Sequence, residues 1–419
     1  MIAYQKYLLD NGMVVLTHEA WDTPLATINL LYNVGARDED PSRTGFAHLF
    51  EHLMFGGTDR VPDFDAVVSS LGGENNAYTN NDHTNYYITL PAQSLATALM
   101  LEADRMEGLS LTQKALEVQQ SVVIEEYNQR YMNRPYGDRW LLLRPLCYHA
   151  HPYRWPTIGA DIRHVSEATL DDVRAFHSKH YRPDNAILSI AAPMRHNEMI
   201  RLVEEAWCSG SSPWEGNRAY AAERTYPAEP LQTEARRLVV KRHVPSMSID
   251  LAWPMGDRFD DDFRACDLLS DLLGNGKSSR LYDRLVRPSR LVSEADACIT
   301  GDAGPGLMLL TAKLHEGVPA DEAAEALRRE AYALADSMVD LEELCKVQNK
   351  YEVTHAYSQY KAADRAFALC YHTWLGDTSL VNTEPEHYRI IDPARLHRAA
   401  QRLFVPTHEN LLIIDNESD

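Results

Sequence analysis

Hydrophobic and polar residues alternate along the first part of the chain in a way that predicts short β-strands. Residues 7–9 and 13–16 flank an Asn11-Gly12 turn, and residues 26–34 (ATINLLYNV) form a longer apolar run. An Asn-Gly pair between two alternating runs is typical of a β-hairpin. The pattern therefore predicts a hairpin that is followed by a buried strand.

Helical spacing of apolar residues alternates with these strands. We predict a second strand pair around Gly72-Gly73 that ends with residues 84–90. The segments with helical spacing are residues 45–55, 64–71, 94–107 and 113–131. Because strands and helices alternate without a short βαβ repeat, the pattern predicts an α+β fold, in which sheets are packed with helices.

The periodic pattern fails between residues 209 and 230, where Gly, Ser and Pro cluster. Such a stretch is typical of a linker. We therefore predict a first domain at residues 1–210, a linker at residues 211–231 and a second domain at residues 232–419.

The two halves of the chain resemble each other at corresponding places. Residues 181–190 (YRPDNAILSI) and 404–414 (FVPTHENLLII) each lead from a proline into an apolar run, and residues 46–57 match residues 264–276. These matches predict two homologous domains. In the second match the polar side chains are lost from the later copy, where the three positions of His48, Glu51 and His52 are taken by Cys266, Leu269 and Ser270.

Charge and composition narrow the class of protein. Asp and Glu outnumber Lys and Arg by 61 to 41, which gives a formal net charge of −20. Such a surface repels phosphate backbones and anionic membranes, so we expect neither nucleic acid nor a membrane as a partner. Hydrophobic residues at 45% and charged residues at 24% are typical of a folded globular protein.

Cysteine usage and the N-terminus bear on the compartment. The six cysteines are scattered without a C-x-x-C pair, which argues against a disulfide framework or a cysteine zinc knuckle. We see neither a signal peptide nor a stretch of the ~20 apolar residues that a membrane span needs. We therefore expect a cytoplasmic protein, or a periplasmic one if an unseen leader has been removed.

The strongest chemical signal is the segment His48-Leu49-Phe50-Glu51-His52. Side chains four residues apart on a helix share one face, so the two imidazoles can both reach one zinc ion. Glu51 stands where a general base could activate water. The alternative is a pair of solvent-facing histidines, but the apolar neighbours argue against a freely solvated helix face, since buried polar groups need partners.

A catalytic zinc usually has three protein ligands, so one more is expected from another element. On the predicted helix at residues 113–131, Glu126 shares the apolar face of Val122 and Val123, whereas Glu125 lies on a wetter face. Helical geometry therefore favours Glu126 over Glu125. The carboxylates that we consider for this position are Glu102, Asp104, Glu107, Glu117, Glu125 and Glu126.

Together with the downstream SVVIEE helix, the H-x-x-E-H segment resembles the pitrilysin, insulysin and mitochondrial processing peptidase family, whose zinc motif is inverted. The resemblance covers nearly the whole chain. The matching segments are NGMVV at 11–15, VGARDE at 34–39, GFAHLFEHLMFGGT at 45–58, GGENNAYTNNDHTNYY at 72–87, LEADRM at 101–106, HPYRWPTIG at 151–159, YRPDNA at 181–186 and GNGKSSRLYDRL at 274–285.

The resemblance implies a Zn²⁺ site made by His48, His52 and Glu126, with Glu51 as the base that activates water. It implies a fold in which each chain forms half of a clamshell. Family members often carry a second Glu two helical turns before the third ligand, and here that position is Gln119. Gln119 can form hydrogen bonds but cannot share a proton, so we expect a different rate or pH profile.

The segment GGENNAYT at 72–79 resembles the family's substrate-pairing edge strand, and Asn76 and Ala77 match its Asn-Ala pair. An exposed strand edge binds extended peptides through main-chain hydrogen bonds. The alternative is that Gly72-Gly73 only turns a hairpin. We predict that His83, in the same segment, is a surface polar residue and not a ligand.

Self-sufficient family members carry an Arg and a Tyr seven residues apart after the SRL segment, and here Val286 and Ser293 take those positions. A one-residue slip of the alignment would restore Arg287 but no Tyr. The chain thus resembles the zinc-bearing subunit of two-subunit relatives, whose homologous partner lacks H-x-x-E-H. We expect such a heterodimer, with a homodimer as the alternative.

The sequence therefore predicts a zinc metalloendopeptidase that hydrolyses peptides or unfolded segments. One rival is a non-catalytic assembly or scaffold subunit, and another is a peptidase specific for leader sequences. The intact set of polar residues argues against a scaffold, because a scaffold does not need all of them.

Overall fold

A computed structural model describes residues 1–224, 226–287, 291–301 and 303–417. In this part of the chain the strands are β1 (Gln5–Leu9), β2 (Val14–Glu19), β3 (Leu25–Tyr32), β4 (Glu74–Thr79), β5 (Thr84–Pro91), β6 (Ala186–Ala192), β7 (Ser211–Pro213), β8 (Arg236–Arg242), β9 (Ser248–Met255), β10 (Val292–Ile299), β11 (Gly306–Leu314) and β12 (Asn410–Asn416). The helices are α1 (Phe46–Leu53), α2 (Phe64–Ser70), α3 (Leu95–Glu107), α4 (Gln113–Tyr127), α5 (Arg139–Cys147), α6 (Arg163–Ser166), α7 (Leu170–His180), α8 (His196–Trp207), α9 (Phe263–Gly274), α10 (Ala320–Asp336), α11 (Leu341–Tyr357), α12 (Ala362–Leu375), α13 (Leu380–Arg389) and α14 (Pro393–Leu403).

The chain folds into two compact units, and each unit is assembled from separate segments. The first unit comprises residues 1–127, 155–225 and 356–383. The second unit comprises residues 128–154, 226–355 and 384–419. Each unit therefore takes one helical segment from the opposite half of the sequence. The linear division into residues 1–210, 211–231 and 232–419 stays a prediction.

The first unit is built on a seven-stranded sheet in the order β4-β5-β3-β6-β2-β1-β7. Strand β2 runs parallel to β6, and the other neighbours are antiparallel. All residues of β6 are buried because its apolar sequence AILSIAA is covered by helix α12, which packs against β3 and β6. The central strands are therefore hydrophobic on both faces.

The second unit is built on a five-stranded sheet in the order β10-β11-β9-β12-β8, in which β12 and β8 are parallel. Helices α9, α10 and α14 bury their apolar faces in a core with Trp253 and Phe404. Another cluster joins Leu143 and Cys147 of α5 to Leu412 of β12. Two largely antiparallel sheets packed with helices confirm the predicted α+β class.

The segment predicted as a linker is partly ordered against the first unit. Strand β7 pairs with β1, and the Tyr220 side chain is fully buried. The Arg218 guanidinium donates a hydrogen bond of 2.7 Å to the carbonyl oxygen of Asp184. Much of residues 211–224 therefore belongs to the packed structure of this unit.

A glutamine contact recurs in the two units. The side-chain amide of Gln120 on α4 donates to the carbonyl oxygens of Val165 at 2.8 Å and Ala168 at 3.0 Å. In the second unit, Gln348 on α11 donates to the carbonyl oxygens of Tyr388 and Ile391, both at 2.9 Å. Each amide thus joins a long helix to the turn before a later helix, as expected for an internal duplication.

The glycine pair does not turn a hairpin, so that part of the prediction is wrong. The backbone N–H of Gly72 donates to the carbonyl oxygen of Ser69 at 3.0 Å, which ends α2. Gly72 has a φ of +75°, in the left-handed region that favours glycine. Strand β4 begins directly after Gly73, and the β4–β5 hairpin turns instead at residues 80–83.

His83 is buried and not a surface residue, because the hairpin turn folds inward beneath α12. Its imidazole lies 5.0 Å, between ring centroids, from Trp374 and 3.2 Å from the Tyr78 hydroxyl oxygen. Burial and the nearby Arg37 charge lower the pKa of His83 to about 3. The side chain therefore stays neutral through the whole range in which an exposed histidine titrates.

Among the helices of the described ranges, none combines the length with the apolarity that spanning a bilayer requires.

Burial of neutral His83 predicts a specific pH dependence of stability. The unfolded chain binds a proton at His83 below its ordinary pKa of 6.5, but the folded chain does so only near pH 3. Stability is therefore present above pH 6.5 and lost as the pH falls below it. Between pH 7.5 and 5, the free energy of unfolding should fall by about 2 kcal/mol more in the wild type than in His83→Gln.

Urea unfolding at several pH values measures this difference. His243 is exposed, so His243→Gln is the matched control and should keep the wild-type slope. Equal slopes for His83→Gln and the wild type would contradict the proton linkage.

Candidate metal centre

Helix α1 presents the two histidines on one face. Its apolar side chains Phe46, Leu49, Phe50 and Leu53 are buried, which orients the opposite, polar face. Phe50 stacks against two aromatic rings, with its centroid 5.0 Å from that of Phe176 and 5.2 Å from that of Tyr181. This packing fixes the rotation of α1 about its axis.

The imidazoles of His48 and His52 lie side by side, with ring centroids 4.9 Å apart and ring planes at 88°. His48 is buried, and His52 is half-buried. This arrangement follows from their spacing of four residues, which sets them one helical turn apart.

Helix α4 brings Glu126 to the same point. Glu126 lies 3.6 Å from the Nε2 atom of His48 through one carboxylate oxygen and 3.3 Å from Nε2 of His52 through the other. The buried face of α4 includes Val123, and Glu126 follows it by one helical turn. In the described part of the chain, His48, His52 and Glu126 form the group of side chains that could hold a metal ion, with ligand atoms all within 4.8 Å of one another.

The donor set and its spacing fit a zinc ion. Two imidazole nitrogens and one carboxylate oxygen make a set that is common in catalytic zinc sites. Ligand atoms bonded at ~2.0–2.1 Å to a tetrahedral ion lie ~3.3 Å from one another. Each of the two Glu126 oxygens lies close to that distance from one ring, 3.3 Å from Nε2 of His52 and 3.6 Å from Nε2 of His48.

The other carboxylates considered as a third ligand have different surroundings. Glu102 is buried against Arg105, with a distance of 2.7 Å. Asp104 and Glu107 both pair with Arg60. Glu117 accepts a hydrogen bond from Gln113, and Glu125 is exposed.

Glu51 lies half-buried on α1 beside the three side chains. Burial raises the pKa of Glu51, while hydrogen bonds from the hydroxyl and the backbone N–H of Thr79 act in the opposite direction. A carboxylate with a raised pKa holds an accepted proton more strongly than an exposed one, which suits a general base. The sequence alone did not point to Thr79, because its proximity to Glu51 joins the end of a strand to a helix elsewhere in the sequence.

Gln119 lies half-buried on α4, two helical turns before Glu126. Gln119 and Glu126 therefore lie on one helix, as the sequence analysis expected for residues seven positions apart. The side chain is an amide, so it offers one acceptor and two donor hydrogens but no exchangeable acid.

Strand β4 is the terminal strand of its sheet in the described part of the chain, and it lies next to α1. Asn76 is exposed, and Ala77 is half-buried. The Asn76 side-chain oxygen accepts the Ala77 backbone N–H at 2.8 Å. The strand edge that carries these two residues thus lies next to the helix that carries Glu51.

In the second unit, the positions that correspond to the two histidines and Glu51 carry a thiol, a hydroxyl and an apolar side chain instead. Cys266 and Leu269 of α9 are buried in its core, and the buried Ser270 donates to the carbonyl oxygen of Asp267 at 2.8 Å. Val286 packs against the same core, whereas Ser293 lies exposed on β10. Arg287 pairs with Asp283.

Comparison with known proteins agrees with this architecture. Residues 14–137 match the family described as insulinase, peptidase family M16, and residues 167–351 match the one described as peptidase M16 inactive domain. The chain is 31% identical to the zinc protease PqqE of Helicobacter pylori, over 80% of this chain and 74% of that protein.

Solved peptidase structures share the fold of this chain. A protease from Helicobacter pylori superposes with a TM-score of 0.90 at 26% identity, over 99% of this chain and 100% of that one. Pitrilysin shares the fold with a TM-score of 0.78 at 18% identity, over 99% of this chain and 45% of its own. The resemblance read from the sequence is confirmed: this chain belongs to the M16 family of peptidases.

Proposed function

We propose that the chain is a zinc metallopeptidase of the inverzincin type that hydrolyses peptides or unfolded segments. The observation that carries the proposal is the convergence of His48, His52 and Glu126, with ligand atoms within 4.8 Å of one another. Relatives named as zinc proteases support the same chemistry. A binding module would not need a half-buried carboxylate next to such a donor set.

A zinc ion held by these three side chains supplies a Lewis acid for the peptide carbonyl and makes a nearby water more acidic. Glu51 acts as the general base and takes the proton of the attacking water. The same carboxylate then delivers the proton to the leaving amine. The interaction with Thr79 favours the ionised form of Glu51, which is the form that accepts the proton.

The peptide binds along β4 as an additional strand. Because β4 is a terminal strand, its outer edge can offer main-chain N–H and C=O groups to an extended peptide. Asn76 and Ala77 are the contact residues that we propose on this edge. Main-chain pairing tolerates many side chains, which suits a general peptidase for unfolded substrates.

Gln119 modifies the pH dependence of this reaction. An acidic residue two turns before Glu126 could exchange a proton with the centre, whereas Gln119 can only orient groups by hydrogen bonding. The reaction in this chain therefore depends on one fewer titrating carboxyl group.

We propose further that a homologous subunit completes the active site. Val286 and Ser293 stand at the positions where Arg and Tyr are expected, and Val286 packs into the core. Neither residue can donate a charged or phenolic hydrogen bond to a developing oxyanion. The match to 45% of the pitrilysin chain is compatible with a peptidase assembled from two chains of this size. A homodimer is the alternative assembly.

Two other functions compete with this proposal. A non-catalytic assembly or scaffold subunit agrees with the inactive-domain description of residues 167–351. The residues of the metal centre lie outside that match, within residues 14–137. A peptidase specific for leader sequences uses the same centre. Mapping the cleavage sites in mixed peptides separates a leader peptidase from a general one.

The first prediction from this mechanism concerns the base and the ligands. Glu51→Gln should retain about one zinc per chain and lose at least about 10³-fold in kcat, because proton transfer loses its carrier. His52→Ala should lose zinc as well as activity. Elemental zinc analysis and hydrolysis of quenched fluorescent peptides measure the two properties in the same sample.

Removal of zinc by a chelator should abolish hydrolysis, and added zinc should restore it in the wild type but not in Glu51→Gln. Gln113→Ala is the matched control on α4, since Gln113 is exposed and pairs only with Glu117 among the contacts described. A purified chain without zinc would contradict the metallopeptidase proposal.

The second prediction concerns the partner. The purified chain alone should bind zinc but hydrolyse peptides poorly, and a homologous chain without H-x-x-E-H should raise turnover by at least about tenfold. Turnover by the chain alone that disappears in Glu51→Gln would contradict the need for a partner. Zinc binding without hydrolysis in any pairing would favour the scaffold function.

A further inference from the structure

Helix α1 begins at Phe46, and the residue in the capping position before it, Gly45, has no side chain that could cap the helix. Gly45 has a φ of +90°. A Cβ atom at this position would lie 2.7 Å from the carbonyl oxygen of Ile158 and 2.8 Å from Cγ2 of Val165. No side chain can therefore be accommodated where helices usually carry a capping residue. The N–H groups of the first turn need acceptors from elsewhere.

Glu39 supplies those acceptors from outside the helix. One of its carboxylate oxygens accepts the backbone N–H of Gly45 at 2.9 Å, and the other accepts that of Ala47 at 2.9 Å. The residue is only 6% exposed. Burial excludes competing water, so both bonds depend on this one side chain.

Glu39 is itself held on a rigid support. It directly follows a short 3₁₀ helix, Ala36–Asp38, in which the Asp38 carboxylate accepts the Gly35 N–H at 2.8 Å. Arg37 forms a buried ion pair with Asp82 at 2.9 Å. The indole N–H of Trp155 donates to the Ala36 carbonyl oxygen at 3.0 Å. The carboxylate thus reaches α1 from a segment that is anchored independently of it.

We infer that Glu39 is a positioning residue for the metal centre, because it fixes the start of the helix that carries both histidines. The inference rests on the proposed zinc function. Glu39 is not one of the proposed metal ligands, and it is not among the residues that we propose contact the substrate. The Glu39 carboxylate accepts the backbone N–H of Ala47, the residue directly before His48. Glu39 therefore determines where the His48 imidazole lies relative to Glu126.

Loss of this carboxylate should affect the two histidines unequally. The first turn of α1 loses two acceptors, so the backbone at His48 is free to shift, while His52 lies one turn further along the helix. Substitution of groups that orient metal ligands typically weakens metal affinity by about 10–100-fold. The edge of β4 is not altered, so KM should change little while kcat falls.

The test uses Glu39→Gln and Glu39→Ala in the full chain. Gln keeps the shape of the side chain but replaces one acceptor oxygen by an amide N–H₂. Zinc affinity is measured by competition with a chromophoric chelator, ligand geometry by the visible spectrum of the Co²⁺-substituted protein, and stability by thermal unfolding. If Glu39→Ala fails to fold, Glu39→Gln alone decides.

Asp392→Ala is the matched control. The Asp392 carboxylate caps α14 by accepting the Arg395 backbone N–H at 2.6 Å, and α14 lies in the second unit, which carries none of the proposed ligands. This variant should lower the unfolding temperature but leave zinc affinity and the Co²⁺ spectrum unchanged. It therefore separates the loss of a helix cap from an effect on the centre.

We expect Glu39→Gln to bind zinc at least about tenfold more weakly than the wild type, with an altered Co²⁺ spectrum. Zinc affinity within twofold of the wild type and an unchanged spectrum would overturn the inference, even if the unfolding temperature fell. A wild-type chain that binds no zinc would overturn the proposed function itself, which distinguishes the two failures.

Discussion

The centre depends on holding two short stretches of helix against each other so that three side chains reach one point. Carboxylate and imidazole groups are expensive to bury singly, so α1 and α4 must be fixed by other contacts before the groups are brought together. Apolar packing of Phe50 fixes the rotation of α1, and the Gln120 amide ties α4 to a neighbouring turn. The polar cluster is thus a consequence of packing and does not itself organise the unit.

The duplicated architecture separates what the fold needs from what the chemistry needs. Gln120 and Gln348 make equivalent contacts in the two units, so this contact serves the fold. The later helix has Cys266 and Ser270 in its core, where the earlier one carries histidines. An M16 unit therefore folds without ligands, and the metal centre is an addition to a scaffold that is stable on packing alone.

Local pattern predicted the main strands and the α+β class. It also favoured Glu126 over Glu125, because helical periodicity places Glu126 on the same face as Val123, while the full set of ligands was implied only by the family resemblance. It could not predict that the turn containing His83 folds inward, since burial there depends on Trp374, far away in sequence. The contact of Thr79 with Glu51 was also beyond reach, because it joins a strand end to a helix. Such long-range contacts leave no periodic signal in either segment.

The exchange of helical segments has a consequence for how the chain is made. Helix α12 covers β3 and β6, where the Cys370 thiol lies 3.4 Å from the carbonyl oxygens of Asn29 and Ile187 and the Trp374 indole donates to Asn33 at 2.7 Å. This helix is synthesised long after the strands it covers. The first unit therefore cannot complete its core while only its early strands have been translated, and the ribosome must deliver the chain as far as residue 375 before α12 can cover that sheet.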